Sequence, residues 1–233
     1  MIRSMAAGDA GCTIVGLVSV GQSPSPSLTA DVVSVLAGRA EIREAGALDG
    51  LSREGIERDH APACRERTFF TTLRDGTDVL VDRVFIHERV QQAVHVLEKE
   101  SSIIGILCTG GYNDIESKAT LVLPSNLVLG YIRGVRDFGK WGLVMPTEVS
   151  LTAMLREFER YEVPVVGKCV PPRGTREEFQ LRITGLAGAG ISTVLLNCFG
   201  YSEMMRQAAK EVLGRPVIRP GTILADAIAR LVE

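Results

Sequence analysis

Short apolar segments alternate with longer amphipathic segments along most of the chain. Thr13–Val18 and Ile103–Leu107 are continuous apolar runs of strand length, which is typical of strands buried on both faces of a parallel sheet. Val84–Lys99 has apolar residues at helical spacing and predicts a helix. An Asp-Gly pair between Thr68–Leu73 and Val79–Asp82 predicts a β-hairpin. The alternation as a whole predicts an α/β fold with parallel sheets.

The order of predicted elements repeats once along the chain. Each half is interpreted as strand-helix-strand-helix-strand-cysteine-helix-strand-helix, with the hairpin inserted in the first half. We therefore expect two pseudo-symmetric, doubly wound lobes, at residues 13–138 and 139–233, after a disordered extension at residues 1–12. Ligands of open parallel sheets bind outside the carboxyl ends of the strands, so two facing lobes would form a cleft there.

One cysteine ends the third predicted strand of each half. Cys108 follows Ile103–Leu107, Cys198 follows Thr193–Asn197, and a glycine-containing loop comes next in both places. Small residues let a ligand approach the backbone, and exposed amides can bind an anion such as a carboxylate. A single cysteine at a strand end is most often a small buried hydrophobe. Two cysteines at equivalent positions of a repeated unit instead favour a chemical role.

Two thiols on opposite walls of a cleft fit the inversion of a carbon beside a carboxylate. A thiolate removes the proton from one face, and a thiol delivers a proton to the other face, without a cofactor. A free thiol has a pKa of about 8.5, so one cysteine must be shifted towards thiolate, and the N-terminus of a following helix would help. The other cysteine must stay protonated, and the sequence leaves open which is which.

Charge and composition exclude several other classes of function. The 26 basic and 28 acidic residues give a net charge of −2 without a basic cluster, so nucleic acid is not an expected partner. We expect a cytoplasmic protein without membrane contact, because no apolar run has the length of a spanning helix and the first residues do not resemble a secretory signal. The five cysteines and three histidines lack metal-ligand or disulfide-framework spacing, so no metal or other cofactor is expected.

Two loops make the chain similar to a known family. Gly21–Pro24 after the first strand and Gly46–Ser52 after the second, with the order of elements over Thr13–Glu233, resemble the AroM-like family, which is related to the aspartate/glutamate racemase superfamily. Members of that superfamily have two α/β lobes, a cleft between them and a cysteine from each lobe. They racemise amino acids or hydantoins, isomerise maleate or decarboxylate arylmalonates, without metal or pyridoxal. The resemblance implies that Cys108 and Cys198 are catalytic.

The loops at the strand ends are also expected to hold a small carboxylate substrate. The candidate binding residues are Gln22, Ser23, Thr109, Gly110, Gly111, Thr147, Phe199, Gly200 and Tyr201. The cysteine sites read Cys-Thr-Gly and Cys-Phe-Gly, where amino-acid racemases usually have Cys-Asn-Thr and Cys-Thr. Gln22-Ser23 also replaces the usual acidic residue beside a serine. These departures count against aspartate or glutamate as the substrate.

Three functions remain open from the sequence. The first is a cofactor-independent racemase or isomerase acting at the α-carbon of a small carboxylate, with Cys108 and Cys198 as the acid–base pair. The alternatives are a non-catalytic small-molecule binder and a decarboxylase that needs only Cys198 to protonate an intermediate. A basic residue from the hairpin or the helix after it is expected to gate the cleft. A homodimer is compatible with an active site between lobes.

Overall fold

The computed structural model describes residues 12–135 and 139–233. The predicted extension at residues 1–12 and the predicted boundary between the lobes therefore fall almost entirely outside the described residues. The strands are β1 (Thr13–Ser19), β2 (Ala40–Gly46), β3 (Thr68–Thr72), β4 (Asp78–Asp82), β5 (Ile103–Ile106), β6 (Thr120–Val122), β7 (Lys140–Met145), β8 (Val165–Cys169), β9 (Ile191–Leu196) and β10 (Val217–Ile218). The helices are α1 (Pro26–Leu36), α2 (Arg53–Asp59), α3 (Arg83–Leu97), α4 (Pro124–Gly134), α5 (Glu148–Arg160), α6 (Arg176–Ile183), α7 (Glu203–Leu213) and α8 (Pro220–Val232).

Two parallel four-stranded sheets have the same topology. The first has the strand order β2-β1-β5-β6, and the second has the order β8-β7-β9-β10, so each runs second-first-third-fourth. β3 and β4 form the predicted antiparallel hairpin, with Thr72 opposite Asp78 at its turn. The predicted α/β fold with two parallel sheets is confirmed. None of the helices within the described ranges is long and apolar enough to cross a membrane.

The two halves differ after their cysteines. α7 follows Cys198, but the residues between Cys108 and β6 form a loop, so the helix expected there in the first half is wrong. The segment begins with Gly110 and Gly111 and continues with Asn113 and Asp114, which are poor helix formers. Cys108 therefore has no helix N-terminus directly after its strand.

The last helix of each half packs on the sheet of the other half. Leu224 and Ile228 of α8 are fully buried in one cluster with Leu17 of β1. Val128 of α4 belongs instead to the cluster around Trp141 of β7. Each half therefore buries its last helix against the other half, and apolar contacts join the two sheets.

Candidate active site

Cys108 and Cys198 have the same local structure at the ends of matching strands. Each lies two residues beyond the last residue of its strand, β5 or β9. The Gly110 N–H donates a hydrogen bond to the Cys108 Sγ (3.3 Å), and the Gly200 N–H donates one to the Cys198 Sγ (3.4 Å). Both side chains are partly exposed. The repetition seen in the sequence therefore extends to the hydrogen bond on each sulfur.

The segment after Cys108 contacts the residue that precedes Cys198. The Thr109 hydroxyl donates a hydrogen bond to the backbone oxygen of Asn197, across 3.3 Å. Negative charge on Cys108 is also one of the influences that raise the pKa of Cys198. The structure thus brings Cys108, Thr109 and Gly110 of one half together with Cys198 and Gly200 of the other.

Burial raises the pKa of both thiols. The pKa of Cys198 rises to about 12, because desolvation is opposed only by the Gly200 N–H. At Cys108 burial also dominates, but the Gly110 N–H, the Tyr112 hydroxyl and the positive charge of Arg83 all act to lower the pKa. The expected lowering by a helix N-terminus is not found, and the two thiols instead differ in how many groups stabilise the thiolate.

Tyr112 and Arg83 lie beside the candidate site, and the sequence analysis did not select them. Tyr112 is 4% exposed, and its ring stacks on His87 with centroids 5.7 Å apart. A Cβ atom at Gly110 would lie 3.0 Å from the Tyr112 ring and 3.5 Å from the Cys108 Sγ, so the ring and the sulfur flank this glycine. Tyr112 follows Cys108 by four residues, so the sequence could have pointed to it. Arg83 is distant in sequence, and only the fold brings it to the Cys108 site.

Arg83 lies in the segment from which a basic residue was expected to gate the cleft, and the gating stays a prediction. It is the first residue of α3, directly after the hairpin, and it is exposed. Its guanidinium lies 5.9 Å from the Phe69 ring centroid, and no carboxylate within the described residues pairs with it. Its positive charge acts to lower the pKa of Cys108.

Gln22 and Ser23 join loops to one another. The Gln22 amide donates to the backbone oxygens of Leu48 and Leu51 (3.3 and 2.8 Å) and accepts from the Arg74 N–H (3.0 Å). The Ser23 hydroxyl donates to the Asp49 carboxylate across 2.5 Å. An acidic group thus does lie beside this serine, but it comes from the loop after β2. Both candidate side chains already have protein partners.

Of the remaining candidate binding residues, Gly111 adjoins open space, whereas Thr147 and Phe199 already contact other parts of the protein. Gly111 is exposed, and nothing lies within 4 Å of the Cβ position built on it, so there is open space beside this glycine. Thr147 is the N-cap of α5, where its hydroxyl accepts the Ser150 N–H. Phe199 is buried in the apolar cluster that also contains Leu224.

Tyr201 is the counterpart of Tyr112 after the second cysteine, but its hydroxyl has a different partner. It is fully buried, and it donates a hydrogen bond of 2.6 Å to the backbone oxygen of Val170. Tyr201 therefore fixes the loop between β8 and α6. Its own pKa is raised by burial and by the charges of Cys198 and Cys169.

The hairpin bridges the two halves beside the cysteine loops. Arg173, in the loop after β8, pairs with Asp78 of β4 and lies 4.6 Å from the Phe70 ring centroid of β3. The neighbouring Pro172 would be 2.9 Å from a Cβ atom on Gly200. The hairpin thus reaches the loop that packs against the Cys198 site. Within the described ranges, no cluster of three or more His, Cys, Asp or Glu side chains could hold a metal ion.

The family of the chain follows from a comparison with known protein families. The family described as AroM protein matches residues 15–232, which is nearly the whole chain. The chain belongs to the AroM family. No curated protein sequence gives a significant match.

Solved structures with the same fold belong to the aspartate/glutamate racemase superfamily. An aspartate racemase homologue from Pyrococcus horikoshii OT3 has a TM-score of 0.61 at 11% identity, over 94% of this chain and 99% of that one. A liganded mutant of arylmalonate decarboxylase has a TM-score of 0.60 at 13% identity, over 94% and 92%. A Nocardia farcinica maleate cis-trans isomerase mutant with a bound succinylcysteine intermediate has 0.59 at 13% identity, over 94% and 91%. At these identities the likeness establishes the fold.

Proposed function

We propose that this AroM-family protein is a cofactor-independent racemase or isomerase that acts at the α-carbon of a small carboxylate. The observation that carries the proposal is the mirrored thiol pair. Cys108 and Cys198 each accept one backbone N–H two residues further on, and their loops are joined by the Thr109–Asn197 hydrogen bond. A packing role for the cysteines would not require matched donors on both sulfurs. Racemases and isomerases among the structural neighbours support the same reaction class.

The reaction needs one proton transfer at each thiol. A thiolate takes the α-proton and becomes a thiol, while the resulting carbanion is stabilised by the adjacent carboxylate. The other thiol gives its proton to the opposite face of the same carbon and becomes a thiolate. The carbon is inverted, no atom is gained or lost, and the two sulfurs exchange protonation states. Proton exchange with water then restores the starting form.

The substrate carboxylate would be held by groups beside open space or without an acidic partner. Open space adjoins Gly111, whose backbone amide could donate to an anion, and Arg83 supplies a positive charge without a paired carboxylate among the described residues. Gln22 and Ser23 would act indirectly, by fixing the first loop to the loop after β2. This assigns the binding of charge to the loop after Cys108 and to the start of α3.

A one-cysteine decarboxylase is the second candidate. The pKa of Cys198 is raised to about 12, so its thiol stays protonated and can donate a proton to a carbanion left by CO₂. Such an enzyme would not need Cys108. Arylmalonate decarboxylase is among the structures with this fold.

A panel of chiral small carboxylates and substituted malonates separates these functions. The purified chain would be assayed for loss of optical activity and for CO₂ release, beside Cys108→Ala, Cys198→Ala and, as a control, the exposed Cys12→Ala. The proposal predicts interconversion of enantiomers that both active-site variants abolish and that the control retains. CO₂ release that survives in Cys108→Ala would establish the decarboxylase instead. Carboxylate binding without either reaction, unaffected by both variants, would establish a binder.

A further inference from the structure

We infer that Tyr112 is a positioning residue that makes Cys108 the base of the thiol pair and leaves Cys198 as the acid. The inference rests on the proposed function, because it assigns the two roles that the function requires. It comes from a difference between two loops that otherwise match. The first loop reads Cys-Thr-Gly-Gly-Tyr and the second reads Cys-Phe-Gly-Tyr, so the first tyrosine is one residue further from its cysteine.

The extra residue directs the two tyrosines to different partners. The Tyr201 hydroxyl donates to the Val170 backbone oxygen and is therefore not available to Cys198. Tyr112 has its ring near the Cys108 sulfur instead, since a Cβ atom on Gly110 would lie 3.0 Å from the ring and 3.5 Å from the sulfur, and the Tyr112 hydroxyl acts to lower the pKa of that thiol. One thiol of the pair thus has a phenol close by, whereas the phenol after the other thiol is bonded to the backbone.

A phenol that stays protonated stabilises a thiolate beside it. Burial and the nearby Cys108 charge raise the pKa of Tyr112 well above its ordinary value, so the hydroxyl remains a donor while Cys108 ionises. Arg83 adds a positive charge to the same site and acts on both groups. Cys198 has only the Gly200 N–H against desolvation, and a charge on Cys108 opposes its ionisation further. Cys108 should therefore ionise first.

The surroundings of Tyr112 hold it in place. Its ring stacks on His87, and the His87 Nε2 lies 2.9 Å from an Asp114 carboxylate oxygen. Tyr112 also belongs to the apolar cluster against which Cys108 packs. The ionisable groups facing the pair are thus Arg83 and Cys198 near the sulfur and His87, with its partner Asp114, on the ring. Because these contacts hold the ring, the hydroxyl keeps one position without a further loss of side-chain conformational entropy.

The test is the alkylation rate of each cysteine against pH, measured by iodoacetamide labelling and peptide mass spectrometry. In the unmodified chain Cys108 should reach its thiolate at lower pH than Cys198. Tyr112→Phe keeps the ring and removes the hydroxyl, so Cys108 labelling below its midpoint should slow by roughly ten- to a hundredfold, as expected for the loss of one donor to a charged group. Arg83→Gln should give a smaller slowing that disappears in high salt, because Arg83 is exposed.

Tyr201→Phe is the matched control, because it removes a buried hydroxyl that has a backbone partner. It should leave the Cys108 titration unchanged. An unchanged Cys108 titration in a folded Tyr112→Phe variant, or earlier ionisation of Cys198 in the unmodified chain, would overturn the inference. The labelling needs no substrate, so its outcome is independent of turnover. If Tyr112→Phe shifts Cys108 in a chain that converts no carboxylate, the proposed function fails and the assignment of the first-ionising thiol stands.

Discussion

The charge states of the two thiols decide how the proposed reaction depends on pH. Burial raises the pKa of Cys108, so its thiolate fraction increases as the pH rises from neutral. The pKa of Cys198 is raised to about 12, so its thiol stays protonated and remains a proton donor from neutral pH up to that value. We predict that kcat/KM increases with pH on the alkaline side of neutrality and that Tyr112→Phe moves this rise to higher pH. A profile that falls over the same range would contradict the assignment of Cys108 as base.

Gly46 shows that one residue can control how two loops meet. A Cβ atom there would lie 2.5 Å from the Ser23 nitrogen and 2.6 Å from the Gly21 oxygen, both of which belong to the backbone. Gly46→Ala should therefore force the loops apart and lower the free energy of unfolding by about 2 kcal/mol, the usual scale of overpacking. Urea unfolding measures this. Gly130→Ala in α4 is the control, because its Cβ would meet nothing within 4 Å.

The sequence could predict the cysteines but not their difference. Their positions follow from apolar runs that end in the same way, which is a local pattern. The direction of the Tyr112 and Tyr201 hydroxyls depends on the path of each loop, which no spacing rule provides. Asp49 was hidden for the same reason, since it reaches Ser23 from a separate loop.

At the scale of elements, the hairpin joins the two halves through Arg173. We predict that Arg173→Ala releases β3 and β4 and speeds amide hydrogen exchange in the hairpin by roughly 5–30-fold, for a loss of about 1–2 kcal/mol. Alkylation of Cys198 should become faster as well, because Pro172 lies against its loop. Arg160→Ala is the control, since Arg160 is exposed and, within the part of the chain that the structure describes, pairs with Glu157 of α5 and the Tyr161 ring. Unchanged exchange in the hairpin would show that Arg173 does not hold it.

Most elements were predictable because their signals are local. Buried parallel strands such as β1 and β5 are continuous apolar runs. The hairpin is marked by the Asp-Gly pair between its strands, which is a strong hairpin signal. The missing helix after Cys108 was expected only from the symmetry of the two halves. Here the local composition of Gly110–Asp114 overrides the repeat.

At the scale of the whole molecule, a buried ion pair connects the halves. Arg219, just before α8, donates to Asp31 of α1 (2.7 Å), to Glu203 of α7 (3.1 Å) and to the backbone oxygen of Tyr201 (3.0 Å). Asp31→Ala would leave this guanidinium, whose side chain is 8% exposed, with one acidic partner. We predict a loss of about 3 kcal/mol in the free energy of unfolding. Asp226→Ala, at an exposed site of α8, should be nearly neutral; equal stability of the two variants would contradict the prediction.

The sequence did not show that α4 and α8 each pack against the sheet of the other half. Both helices have an apolar face. The spacing of apolar residues predicts that this face is buried, but it does not predict which sheet covers it. The apolar partners of Leu224 and Val128 are known only from the fold. The two parallel sheets were predictable, but the way the halves interlock was not.

The most direct test of the two-thiol account is to convert one enantiomer of the best panel carboxylate in D₂O and to follow deuterium separately in each enantiomer by mass spectrometry. The account predicts that the product enantiomer carries α-deuterium from the first turnovers, while the remaining substrate keeps its proton, because one thiol removes hydrogen and another delivers it. Both Cys108→Ala and Cys198→Ala should stop this conversion. Product that retains the original proton, or conversion at an undiminished rate in either variant, would contradict the central claim.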